Sequence, residues 1–368
     1  MPYAPIPMVP GPVTVPSPIL AALAQDYGSG QIEPDFLALY HATGRALAKL
    51  MNTRNDVVIM TGEGMLALWS GLKSCLAPGD RVLSVATGVF GDGIGDMAAS
   101  FGCDVRKISY PFNETVHDLQ RIEDAIKEFH PHMITAVHCE TPSGTLNPIE
   151  GIGELKRRYG VPLLYVDAVA SLGGAPVQAD AWGVDLLLGG TQKCLAAPPS
   201  LSFLGVSPAA WERAAYIEYQ GYDALSPWRT VQQDGRCPYT PYWHGMAALH
   251  AGATAILEEG LDKVFARHNA AAKACRDGLA ALGLDPWPAD TATPSPTVTA
   301  ALLPKGKRWP QWREALRQRG LIVAGSFGPM AGKVFRLGHM GSQASVPLVL
   351  RALDAIDDAI REKSAFPR

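Results

Sequence analysis

Seven short strand-like runs punctuate the first 206 residues, and they constrain the fold more than any other feature of the chain. They are VVIM (57–60), RVLSVAT (81–87), CDVRKISY (103–110), MITAVHC (133–139), PLLYVDA (162–168), DLLLGG (185–190) and LSFLGV (201–206). Amphipathic stretches such as GIGDMAASFG, DLQRIEDAIKEFH and IEGIGELKRRYG separate most of them. Apolar runs of strand length alternating with helical patterns predict an α/β fold, a mostly parallel seven-stranded sheet covered on both faces. Such a sheet receives ligands beyond the C-terminal ends of its strands. A chain of 368 residues has room for a second, smaller unit, and the character changes after about residue 208. The stretch EYQGYDALSPWRTVQQDGRCPYTPYWHG is polar, aromatic and too long for a plain connection, so it reads as functional or interfacial. A long helix over 261–282 follows, then TVTAALL, PQWREALRQRG, LIVAG, KVFRLG and VPLVLRALDAIDDAIREK, a small α+β unit. The expected division is a proline-rich extended arm over 1–16, a large domain over 17–259 and a small C-terminal domain over 260–368.

Bulk properties narrow the function. The formal net charge of −3 leaves no electrostatic footprint for nucleic acid. No apolar stretch approaches the roughly 18 residues of a membrane span. MPYAPIPMVPGPVTVP has no basic region followed by an apolar core, so a cytoplasmic location is expected. Cys75, Cys103, Cys139, Cys194, Cys237 and Cys275 form no CxxC pair and read as free thiols. His130 and His132 flank Pro131 in FHPHM, but no acid or cysteine completes a ligand set, so no metal is expected.

Two strand ends carry the chemistry. PLLYVDAVASLGG places Asp167 at the end of a fully apolar run, and DLLLGGTQKCLAAPPS places Lys193 just past the next one. A buried aspartate needs a positive partner, and a lysine at the rim of a buried sheet is readily desolvated into an amine nucleophile. Together they suit Schiff-base chemistry on a pyridine ring, the carboxylate keeping the ring nitrogen protonated. The glycines Gly91-x-Gly93-x-Gly95 after RVLSVAT imitate a dinucleotide turn. However, Asp96 stands where the third glycine belongs, and no acid closes the second strand, so a nicotinamide site is not expected.

These residues resemble the fold-type I pyridoxal-phosphate enzymes of class V, and more narrowly the alanine/serine–glyoxylate aminotransferase group. VDAVASLGG followed by GGTQKCLAAPP carries the likeness. PGPVTVP (10–16) is similar to the family's arm, TGEG (61–64) to its phosphate-binding turn and GVFG (88–91) to the segment whose aromatic stacks on the ring. HCETPSGTLNPI (138–149) is similar to its Glu-Thr/Ser stretch, and VFRLGHMG (334–341) to its substrate-arginine segment. The resemblance implies that Lys193 forms the Schiff base and shuttles the proton, while Asp167 pairs with the pyridine nitrogen. It also implies that Phe90 stacks on the ring, Thr141 hydrogen-bonds near the ring's 3-oxygen and Arg336 forks onto the substrate carboxylate. Gly64, Gln192 and Thr240 fall at the family's phosphate site, Thr240 reaching in from the partner of a homodimer or homotetramer with a shared active site.

Glu63 breaks the pattern. A carboxylate in a phosphate-binding turn repels a phosphate by about 4 kcal/mol per pair of unit charges at 4 Å and an effective dielectric near 20. One branch of the family, the pyridoxamine–pyruvate aminotransferases, resembles this chain there. It uses free pyridoxamine as a substrate and pyruvate as acceptor, as in vitamin B6 degradation. That likeness implies a second arginine nine positions before Arg336, where this chain has Phe327. The expected activity is transfer of the pyridoxamine amino group to pyruvate or a similar small 2-oxo acid, with pyridoxal or pyridoxamine bound without phosphate. If Glu63 instead caps its own helix, the expectation reverts to an alanine/serine–glyoxylate-type enzyme using pyridoxal 5'-phosphate. A reading of another class is a non-enzymatic B6-binding homodimer, against which Lys193 and Arg336 argue together.

Overall fold

Apolar side chains on both faces of most runs leave burial inside a sheet as the favourable outcome, and all seven runs become strands of one sheet, the more polar CDVRKISY forming a half-exposed strand at its edge. The computed structural model describes residues 5–361; residues 1–4 of the expected arm and 362–363 of the last expected helix lie outside them. The chain opens with β1 (Ile6–Pro7), α1 (Ser17–Leu23) and α2 (Pro34–Met51). Strands and helices then alternate: β2 (Asp56–Thr61), α3 (Gly64–Cys75), β3 (Arg81–Ala86), α4 (Val89–Ser100), β4 (Asp104–Ser109), α5 (Leu119–Phe129) and β5 (Met133–Val137). A hairpin of β6 (Cys139–Glu140) and β7 (Thr145–Leu146) precedes α6 (Glu150–Arg158), β8 (Leu163–Asp167), α7 (Ala179–Trp182), β9 (Leu186–Gly190) and β10 (Leu201–Val206).

The sheet order is β2-β10-β9-β8-β5-β3-β4. All neighbours run parallel except β10, which is antiparallel to both β9 and β2. The reason lies in the connection. Only residues 191–200 separate β9 from β10, with no crossover helix to bring the chain back for parallel pairing. Glycines let the helices approach closely: a Cβ on Gly71 of α3 would lie 3.0 Å from the ring of the buried Tyr165. Asp118 caps α5 through Gln120 N–H (3.0 Å), and Ser207 caps the next helix, α8 (Pro208–Ile217), through Ala210 N–H (3.2 Å).

The long polar stretch contains a short helix, α9 (Arg229–Asp234), and leads into α10 (Trp243–Glu259) and α11 (Leu261–Ala281). The small C-terminal sheet domain follows: β11 (Val298–Leu302), α12 (Trp309–Gln318), β12 (Leu321–Ile322), β13 (Ala324–Gly325), β14 (Val334–Gly338) and α13 (Val346–Arg361). Its sheet has the order β11-β14-β13, all antiparallel. Trp312 and Phe335, both fully buried, meet edge to face at 5.8 Å in its core. The extended arm belongs to the same packing. β1 pairs parallel with β12, and Ile6 and Met8 enter that core.

Candidate active site

Strands β2, β3, β5, β8 and β9 point their C-terminal ends at one place, and the loop after each supplies part of a single cavity of about 160 Å³. That is below the roughly 300 Å³ of a drug-sized ligand pocket and suits one small ring. Glu63, Gly64, Phe90, Thr141, Asp167, Gln192 and Lys193 all line it. Arg336 stands behind Thr141, donating from Nη1 to its carbonyl at 3.3 Å. Thr240 does not line this cavity; it is exposed on the loop before α10.

Asp167 ends β8 and is 6% exposed. Burial pushes its carboxyl up to about 6, opposed by the Val169 N–H donated to Oδ1 (2.8 Å) and by the nearby Lys193 amine. The Lys193 amine is lowered to about 8, first by burial and then by the Arg336 guanidinium. It donates to the Pro10 carbonyl of the N-terminal arm. Gly11 is required there: a Cβ would fall 2.5 Å from Lys193 Cδ and 2.9 Å from Nζ, and its φ of +88° suits glycine. His138, beside Asp167 in the sheet, is buried and held neutral by desolvation, its ring lowered to about 4 and hydrogen-bonded to Ser171 Oγ at 2.9 Å.

Glu63 precedes the first residue of α3, and its backbone carbonyl accepts Leu66 N–H (2.8 Å), but its side chain makes no hydrogen bond to that helix's N-terminus. Its Oε2 instead accepts from Gln192 Nε2 at 3.3 Å. The carboxylate therefore stays with the cavity and does not cap its own helix. Gln192 is 7% exposed, and its Oε1 is buried without a partner. An orphaned buried oxygen beside a cavity is a group waiting for a donor on a ligand. This orphan, the buried Asp167 carboxyl and the desolvated Lys193 amine together fit a protonated pyridine bearing hydroxyl and amine or aldehyde substituents.

Two site residues escaped the sequence reading. Pro10, whose carbonyl receives the lysine, gave no signal beyond its place in the PGPVTVP arm. Glu140 lies inside HCETPSG yet was not singled out. It is fully buried, and its oxygens accept Phe90 N–H (3.1 Å) and Gly91 N–H (2.7 Å) at the start of α4. In a dinucleotide fold that helix N-terminus would hold pyrophosphate; here a carboxylate occupies it. Burial pushes the Glu140 carboxyl up to about 7, while the two amides pull it down. A Cβ on Gly88 would lie 2.5 Å from Glu140 Cδ, so the turn that carries Phe90 closes tightly on this group. A carboxyl between Cys139 and Thr141, next to an apolar strand, was the available signal.

A desolvated lysine amine and a buried carboxylate lining one cavity beyond the strand ends of an open α/β sheet, with a buried arginine behind Thr141, are an arrangement that an aminotransferase of fold type I can use. The chain belongs to the Aminotransferase class-V family, which matches residues 23–335. It is 35% identical to the pyridoxamine–pyruvate transaminase of Mesorhizobium japonicum over 361 residues, 95% of this chain and 90% of that one. The crystal structure of pyridoxamine-pyruvate aminotransferase from Mesorhizobium loti superposes with a TM-score of 0.92 at 33% identity, covering 97% of this chain and 92% of that one. The crystal structure of an alanine–glyoxylate aminotransferase from Nostoc sp. gives the same TM-score at 30% identity, covering 98% and 97%. The protein is thus an aminotransferase, acting on an amine and a 2-oxo acid, and its fold implies a pyridoxal-phosphate-type cofactor. Among the described residues no helix is long and apolar enough to cross a membrane.

Proposed function

We propose that this enzyme transfers the amino group of pyridoxamine to pyruvate or a similarly small 2-oxo acid, releasing pyridoxal and an L-amino acid. The observation that carries the reading is Glu63, whose carboxylate lines the cavity and accepts from Gln192. A negative group there disfavours a phosphate and tolerates a free hydroxymethyl, which can donate to the orphaned Gln192 Oε1. The relatives named pyridoxamine–pyruvate transaminase support the same choice.

A bound B6 ring supplies an electron sink for the pair left when a proton leaves the amine-bearing carbon. The protein's own groups do the rest. Asp167, ionised above about pH 6, holds a proton at the ring nitrogen. Lys193, poised near 8, exchanges a proton with the reacting carbon. Phe90 and Thr141, which line the cavity, would hold the ring, Phe90 on a face and Thr141 near the 3-oxygen. Arg336 receives the acceptor's carboxylate in the bidentate manner its planar fork favours. In a homodimer with a shared active site, the exposed Thr240 reaches the neighbouring site.

The test is product analysis. Purified protein given pyridoxamine and pyruvate should form pyridoxal and alanine in equal amounts. Pyridoxamine 5'-phosphate should be the poorer amine by kcat/KM. Stoichiometric pyridoxal 5'-phosphate retained through purification, with faster turnover of alanine and glyoxylate, would overturn the reading in favour of the phosphate-dependent enzyme.

A further inference from the structure

Phe327 is 53% exposed, yet its ring lies 4.7 Å from the guanidinium carbon of Arg336, a residue only 3% exposed. A large aromatic left in water while covering a buried cation is not explained by core packing. Its position is fixed. Ser326 Oγ donates to the Pro142 carbonyl at 2.8 Å, and Met330 N–H donates back to the Phe327 carbonyl at 3.2 Å in the 3₁₀ turn Gly328–Met330. Pro142 adjoins Thr141, which lines the cavity. A Cβ on Gly328 would lie 3.2 Å from Val89 Cγ2, so the same turn reaches the helix start that carries Phe90. Met330 and Val334 are buried in one apolar cluster against which Val89 packs.

Arg336 spends two of its five N–H groups on protein, Nε on the Gly325 carbonyl (2.8 Å) and Nη1 on the Thr141 carbonyl (3.3 Å). Arg336 stands behind the lining residue Thr141, and the basic residue that itself lines the cavity is Lys193, which the proposed reaction uses. Lys107, on β4, is already bonded to Asp92 and Asp96. The acids at the cavity are Glu63 and Asp167. One guanidinium thus stands ready for one carboxylate, capped by a ring whose face is electronegative.

We propose that Phe327 is a specificity residue that restricts the amino acceptor to monocarboxylic 2-oxo acids with a hydrocarbon side chain. This rests on the aminotransferase reading of the site, with Arg336 holding the acceptor carboxylate. The ring fixes the guanidinium plane and offers an alkyl substituent an apolar wall. A second carboxylate on the acceptor meets the ring's negative face, and the charged residues that line the cavity are two acids, Glu63 and Asp167, and Lys193, which is already engaged.

The experiment compares acceptors in the half-reaction of the enzyme with its amine already bound, followed by the change in B6 absorbance. Pyruvate, 2-oxobutyrate, oxaloacetate and 2-oxoglutarate are used with the wild type, Phe327→Ala and Phe327→Arg. Wild type should prefer the two monocarboxylates at least 10-fold in kcat/KM. Phe327→Ala should raise the KM for 2-oxobutyrate several-fold with kcat little changed, and Phe327→Arg should move the ratio toward 2-oxoglutarate at least 10-fold. Because Phe327 is exposed, both variants should melt within a few degrees of wild type. Equal use of dicarboxylates by wild type, or unchanged ratios in folded Phe327→Arg, overturns the proposal whichever B6 form is bound. Failure of every acceptor with both pyridoxamine and its phosphate overturns the reading beneath it and the proposal with it.

Discussion

Replacing Glu63 by glutamine removes a charge while keeping nearly the same volume, and the structure sets the size of the effect. Glu63 Oε2 is 3.3 Å from Gln192 Nε2. A phosphate held by that amide would bring an oxygen to about 5 Å from the carboxylate. At that separation two unit charges repel by about 1 kcal/mol in water and about 3 kcal/mol at an effective dielectric of 20. Glu63 is exposed in the single chain, which favours the lower figure; a covering partner or closed site favours the higher. The range corresponds to about 5-fold to 150-fold in the ratio of affinities for each phosphate charge. The assay is competitive binding of pyridoxamine and pyridoxamine 5'-phosphate to wild type and Glu63→Gln, followed by B6 absorbance. The variant should move the preference toward the phosphate by at least the lower figure, and Glu63→Ser further, because it also removes bulk. Added salt should shrink the wild-type discrimination only in part. If wild type already favours the phosphate, or Glu63→Gln leaves the ratio unchanged, Glu63 does not discriminate against phosphate and the reasoning fails.

Asp167→Asn should retain most ring binding but lower kcat by about 100-fold or more, since a neutral amide cannot hold the ring nitrogen protonated; stopped-flow of the half-reaction reads this. Covalent capture of pyridoxal by Lys193, trapped with borohydride and located on the TQKCL peptide, should rise with pH around a midpoint near 8. The neutral amine is the reactive form, so capture is lost as pH falls through that value. Glu140→Ala should leave the Phe90 and Gly91 amides without their acceptor and destabilise the fold by about 1–3 kcal/mol per amide, read as a lower urea midpoint. An unchanged midpoint would show that water replaces the carboxylate without cost.

How much was legible follows from where each signal resides. Every run in the series from VVIM to LSFLGV is a sheet strand, because strand length and, in all but the edge run CDVRKISY, apolar continuity are local properties. The reversed direction of β10 was not legible, since direction depends on how the chain returns and not on side-chain pattern. Asp167 and Lys193 were legible as polar groups closing apolar runs. Glu140 was not, because its partners lie 49 and 50 residues away and only the folded loop shows two amides converging on it. The role of Pro10 is a backbone carbonyl, which no side-chain pattern announces. Glu63 was conspicuous as an acid in a glycine turn, but the choice between capping its helix and facing the cavity depends on a side-chain direction that only the folded turn sets.

The pairing of β1 with β12 has a consequence for the order of assembly. Ile6 faces Leu321 across that ladder, so a segment made near the start of synthesis waits for one made 315 residues later. At about 5–20 residues per second the delay is roughly 15–60 s. Until β12 emerges, the start of the arm lacks its ladder partner, and the Pro10 carbonyl that receives the Lys193 amine is tethered on its C-terminal side alone, where Val13 N–H donates to the Gln192 carbonyl. The large sheet can therefore form first with its lysine uncovered. The reactive amine acquires its final surroundings only when the last part of the chain has folded, which makes competence for chemistry a late event in the life of each molecule.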